Sequence, residues 1–240
     1  MVKRFPLLIF FFISGLQAQY FDYSASVDLQ GIYSSEEHSP FWMHSNQRGR
    51  IDESTTMAGW TNVSARYFIT SDSFLESGIG GAYQNGYADK FFLDEYYISF
   101  ESPHLTAFIG RKQREELYQG LSASNENILW SLNARPLPGV GFEIEEPIML
   151  WPRAGLGIKA SWEEYITDDD RYVDNLRVHH KSFHVVFNKI RNVELIFGIQ
   201  HFAQWAGFSP DYGRLPQNRG PERAAVVRQG TVRGRTRGGD

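Results

Sequence analysis

Between Tyr20 and Tyr33 apolar and polar residues alternate. Phe21, Tyr23, Ala25, Val27 and Leu29 take one face, and Asp22, Ser24, Ser26, Asp28 and Gln30 the other. A period of two held that long fits a strand and no helix. Gly59 to Thr70 and Phe74 to Tyr87 read as the arms of a hairpin turning at Ser71-Asp72-Ser73. Phe91 to Glu101 predicts the next strand, Pro103-His104 a turn, and Leu105 to Arg111 the return. Gln113 to Asn127 is polar and reads as a long loop. Ile128 to Ala134 and Val140 to Glu145 predict short strands around Pro136 and Pro138, and Ala154 to Trp162 another. Asp168, Asp169 and Asp170 mark an exposed turn. Tyr172 to Asn188 and Val193 to Trp205 form a last hairpin.

The pattern predicts about ten strands joined as consecutive hairpins, so the simplest topology is antiparallel and up-and-down. Several strands outrun the five or so residues usual in soluble sheets and match the roughly 9 to 11 that cross a bilayer when tilted. A transmembrane β-barrel is therefore favoured over a soluble β-sandwich. Pro40, Phe41 and Trp42 interrupt the pattern in the first long loop with a short helix or an aromatic-lined turn.

The N-terminus breaks the pattern differently. Lys3 and Arg4 precede the apolar run Leu7 to Ile13, and Ser14, Gly15 and Ala18 supply small residues before Gln19. That order predicts a secretory signal peptide over 1–18 and export in a Gram-negative bacterium. Residues 19–215 form the predicted barrel portion, and the cell outer membrane is the expected location. Residues 216–240 are atypical: from Arg219 onward there are six arginines, two acids and no aromatic. This tail predicts a disordered basic arm or a sequence out of frame after about Asn218, and the second reading is favoured.

Composition narrows the function. Net charge is −4, which does not suggest nucleic acid, and the absence of cysteine removes disulfides and thiolate chemistry. Aromatic residues make up 15%, suited to interface girdles or to platforms for sugar rings. Glu143, Glu145 and Glu146 with Asp168 to Asp170 invite a glycoside-hydrolase reading, and His179, His180 and His184 a metal site. Neither constellation has convergent spacing, so no catalytic residue, metal or cofactor is assigned. Trp42, Trp130, Trp151, Trp162 and Trp205 are candidate sugar platforms. Arg111, Lys112, Arg114, Arg135 and Lys181 are candidate partners for the carboxylates of an acidic glycan.

Six stretches, in order, give a more specific signal: Ser39 to Gly49 (SPFWMHSNQRG), Phe108 to Lys112 (FIGRK), Gly120 to Ser122 (GLS), Leu129 to Pro138 (LWSLNARPLP), His179 to Ser182 (HHKS) and Gly198 to Gly207 (GIQHFAQWAG). With these the chain resembles the capsule assembly Wzi family of outer-membrane proteins. The resemblance implies a lectin-like, eighteen-stranded barrel without enzymatic activity that helps attach capsular polysaccharide to the cell surface. It implies capsular or extracellular polysaccharide, outer-membrane lipid and the barrel-assembly machinery as partners. It places Asn133, Arg135, His180, Lys181, His201, Gln204 and Trp205 in shared motifs, as glycan contacts or as a lumen network. The alternatives are a porin-like transporter and a secreted carbohydrate-active enzyme. At roughly 20 residues per strand and loop, the mature chain makes about ten or eleven strands, so it is expected to be the N-terminal half of a larger barrel. With two open edges it is expected to form no functional pore or anchor by itself.

Overall fold

The computed structural model describes residues 20–114, 116, 131–168, 172–190, 193–217 and, for the backbone alone, 224–234. Its strands are β1 (Phe21–Gly31), β2 (Met57–Thr70), β3 (Ser73–Gln84), β4 (Phe91–Glu101), β5 (Thr106–Arg111), β6 (Gly139–Glu143), β7 (Ile148–Trp151), β8 (Leu156–Ile166), β9 (Arg177–Phe187), β10 (Val193–Trp205), β11 (Phe208–Ser209), β12 (Gly213–Arg214) and β13 (Ala224–Gly234). One antiparallel sheet runs β1-β2-β3-β4-β5-β6-β8-β9-β10-β13, with β7 paired to β8 off that path and β11-β12 as a separate ribbon. Each strand on the path pairs with the next, the meander that the alternation predicts. The sheet does not close, so the fold is an incomplete up-and-down β-barrel wall. Among the described residues no helix is long and apolar enough to cross a membrane.

The register reproduces the predicted faces. In β1, Tyr23, Ala25 and Val27 lie opposite Ala65, Val63 and Thr61 of β2, while Ser24 and Ser26 lie opposite Ser64 and Asn62. The apolar side is exposed: Val27, Val63, Ile79, Ile98, Ile109 and Phe197 all show more than half their surface. The polar side is covered: Glu76, Glu95, Ser99, Ser161 and Glu163 are buried. Charge faces inward and hydrocarbon outward, the reverse of a water-soluble sheet. Apolar packing proper is confined to small clusters, such as Ile32, Ile51 and Ala58 under the first long connection, and Leu137, Tyr165 and Val178 at the top of β8.

The two ends of the sheet differ. At one end β2 turns into β3 through residues 71–72, and β9 into β10 through 188–192. At the other, the connections run over 32–56, 112–138, 167–176 and 206–223. We call this second end the long-loop rim. Short turns opposite long loops are the usual asymmetry of outer-membrane barrels.

Several predicted elements shift. Residues 131–134 form a turn, with Ala134 N donating to Ser131 O at 3.2 Å, where a strand was expected. Pro136 and Pro138 follow closely and favour turn geometry over a ladder. The expected strand at 154–162 starts later, at Leu156, after a 3-10 turn over Pro152–Ala154, and runs on to Ile166. β7 was not predicted. The predicted helical turn is found at Phe41–His44. The arginine-rich tail, expected as a disordered arm or an out-of-frame stretch, has its backbone at 224–234 laid antiparallel along β10, from Ala224 opposite Ala203 to Gly234 opposite Val193. The signal peptide, Gly120 to Ser122, Trp130, Asp169 and Asp170 lie outside the described residues.

Candidate glycan site at the long-loop rim

The first long loop is held by the polar rim of the sheet. Arg50 donates from Nε and Nη2 to Asp94 Oδ2 at 2.9 and 2.6 Å, and its guanidinium lies 4.9 Å from the centre of the Trp60 ring. Asp94 is buried, so this is a charge-assisted bond shielded from water. Tyr87 donates its hydroxyl to Ile51 O at 3.1 Å. Burial of Tyr87, with the Asp52 carboxylate second, raises its pKa above the ordinary tyrosine value.

Two of the motif stretches meet in this loop. Asn46, Arg48 and Gly49 take left-handed backbone conformations, with φ of 58°, 58° and 67°. That coil turns Asn46 N toward Asn133 Oδ1, which accepts at 2.5 Å, and Arg48 N toward Leu132 O at 2.5 Å. Gly49 is required twice over, by its φ and by contact: a Cβ there would fall 2.6 Å from Arg135 N. Arg48 also pairs with Glu116 at 3.1 Å. Arg135 lies over the Phe92 ring at 4.5 Å. In the helical turn of the same loop Phe41 and Trp42 are 70% and 75% exposed.

Below the rim the side chains form separate groups of ion pairs. Glu163 accepts from Arg114 Nη2, and its other oxygen lies 2.9 Å from His180 Nδ1. Arg114 also donates to Tyr165 OH at 2.8 Å, and His180 stacks on Phe202 at 4.6 Å. Burial works against the charge of Arg114, and Tyr165 and Glu163 more than offset it, leaving its pKa above the ordinary arginine value. Lys112 bonds Ser99 Oγ at 3.0 Å and the Glu101 carboxylate, lies 3.5 Å from Glu76, and sits over the Tyr97 ring. Glu76 also takes Arg66 at 3.1 Å. Arg111 is buried and paired with Asp168.

The candidate residues thus divide. Arg111, Lys112 and His180 are committed to internal ion pairs, and Asn133 and Arg135 to the junction of the two loops. Lys181, His201 and Trp205 lie on the outward face, where Lys181 is opposite His201 and His179 meets the His201 and Trp205 rings edge-on at 5.7 and 6.4 Å. Gln204 is exposed on the alternate face. Glu145 and Glu146 are exposed between β6 and β7, near the short-turn end, while Asp168 is beyond the top of β8. Those acids cannot converge on one bond. Among the described residues no group of three His, Asp or Glu is arranged to hold a metal. Glu163, Glu95, Asp94 and Arg50 were not singled out in the sequence. Glu163 and Glu95 carry a signal, an acid on the polar phase of an alternating strand; Asp94 on the apolar phase of β4 and Arg50 in a loop carry none.

No family model matches the chain, and no curated protein matches it. Among solved structures it is similar to "Salmonella typhi OmpF complex with Daunomycin", at 8% identity over 83% of this chain and 70% of that one. The TM-score is 0.26, too low for the likeness to carry an argument.

Proposed function

We propose that this chain forms the wall of a non-catalytic outer-membrane barrel whose long-loop rim holds capsular or extracellular polysaccharide, as the resemblance to the Wzi family implies. One observation carries the membrane half of the reading: the sheet buries its carboxylates and guanidinium groups and exposes its Val, Ile, Leu and Phe. In water each such exposed side chain forgoes roughly 1.5–3 kcal/mol of burial. In a bilayer that face is solvated by lipid, and the ladder satisfies the backbone. Export and insertion by the barrel-assembly machinery follow from that location.

The polysaccharide half rests on the rim. Phe41 and Trp42 offer exposed aromatic faces beside amides (Asn46, Asn133) and guanidinium groups (Arg48, Arg135), the mixture that takes the apolar face and the hydroxyls or carboxylates of a sugar. The test is binding of purified capsular polysaccharide to the full chain in detergent micelles. Trp42→Ala is expected to weaken it about fivefold, the worth of one aromatic contact. An inserted protein that binds no polysaccharide and conducts ions in planar bilayers would replace this reading with a porin-like transporter.

A further inference from the structure

The outward face changes character along β8, β9 and β10. Near the short turns the cross-strand rows are Ile158–Val185–Phe197 and Ala160–Phe183–Ile199. Toward the rim they become Trp162–Lys181–His201, Glu164–His179–Ala203 and Ile166–Arg177–Trp205. An apolar band thus gives way to aromatics and cations on the surface that the proposed function turns to lipid. Trp162 stacks on Phe142 at 5.7 Å at this boundary, where interfacial girdles sit.

Next to Arg177 is a groove of about 420 Å³. Ile109, Val140 and Ile166 form its apolar walls, with Gly110 and Gly139 between them, and Arg177 stands at one side. Gly110 has a φ of +113°, and a Cβ there would come 2.1 Å from Tyr96 O, so the depression is built into the backbone. Glu164 also lines the groove, but its Oε1 is 2.9 Å from His179 Nδ1, which draws its charge away from the opening. Arg177 and Lys181 are exposed, and among the described residues neither side chain has an ion pair or hydrogen bond. Two unpaired cations on a lipid-facing surface call for an anion. Four residues of strand separate them by about 13 Å, and lysine's stem is long enough to reach back along the strand toward the interface.

We infer that this face binds a phosphorylated lipid, with one acyl chain in the Ile109–Val140–Ile166 groove and its phosphate between Arg177 and Lys181. The inference rests on the barrel reading. It asks nothing of the polysaccharide site, which is built from the loop residues 41–49 and 132–135.

The experiment uses the full chain reconstituted in phosphatidylcholine nanodiscs doped with phosphatidylglycerol, with retained lipids counted by native mass spectrometry. Phosphatidylglycerol is expected to be retained about thirtyfold over phosphatidylcholine, as two surface cations would give. The double variant Arg177→Gln/Lys181→Gln should abolish the preference. Val140→Trp, which fills the groove without changing charge, should lower total retention while leaving polysaccharide binding intact. Inserted protein with no lipid preference would overturn the inference and leave the barrel reading standing. A chain that does not enter the bilayer would overturn both. Displacement of the lipid by inorganic phosphate would reduce the site to an ion site and overturn the acyl-chain assignment.

Discussion

Glu163 is gripped from two sides, by Arg114 on one oxygen and by His180 on the other, and it is 1% exposed. Removing one member of such a pair leaves a buried charge without compensation. Glu163→Gln should therefore cost about 3 kcal/mol of folding stability, measured by urea unfolding in micelles. Arg114→Met in the same chain should cost much less than a second full increment, because the two share one interaction. Tyr87 makes a pH-dependent contribution. Its folded pKa is raised, so its stabilisation is fully present below the ordinary value of about 10 and is lost as pH rises through the folded value. The stability advantage of the wild-type chain over Tyr87→Phe should be full at pH 8 and shrink as the pH passes above 10, read as a difference in Tm.

At the scale of the strand, β1 and β2 make the two faces unequal. Val63 faces out between Ala25 and Ile79, whereas Ser24 faces in opposite Ser64. Val63→Arg should cost about 2–4 kcal/mol if the apolar face meets the bilayer midplane, and Ser24→Arg far less. Insertion into phospholipid vesicles, followed by protection from protease, separates them. Equal effects of the two substitutions would contradict a lipid-facing apolar side.

For the whole molecule, the decisive addition is β13. Ending at β10, the meander would have first and last strands running the same way. With β13 on β10 the path has ten strands, and β1 and β13 run in opposite directions. Unsatisfied edges in lipid cost several kcal/mol per backbone group, so both edges need partners, and the opposite directions let them serve each other. A heat-modifiable monomer on gels after insertion would mean that they do, against the expectation of a half-barrel with no stable membrane form. Material that stays protease-sensitive would mean that the edges remain open. Reading the encoding DNA in all three frames beyond the codon for Asn218 tests the tail separately: an alternating, aromatic-ended continuation in another frame would make the larger barrel the natural product.

The alternation of Phe21 to Gln30, and of Phe91 to Glu101, was enough to determine strand identity, face and consecutive pairing, because a two-residue period has one structural solution when hairpins follow one another. Composition likewise removed cysteine chemistry. Alternation fails where glycine and proline set the backbone, which is why the turn at 131–134 was misread and β7 missed. It is also silent in the arginine-rich tail, whose pairing depends on the free edge that β10 offers. Partners were the tertiary structure's decision. Arg114 and Glu163, Arg111 and Asp168, and Asn46 and Asn133 are tens of residues apart, and only the stacking of strands in register brings them within hydrogen-bond reach. The motif residues look alike as a list. Folding sends His180 inward to Glu163 and its neighbours His179 and Lys181 to the outer face, because successive side chains on a strand point to opposite sides of the sheet.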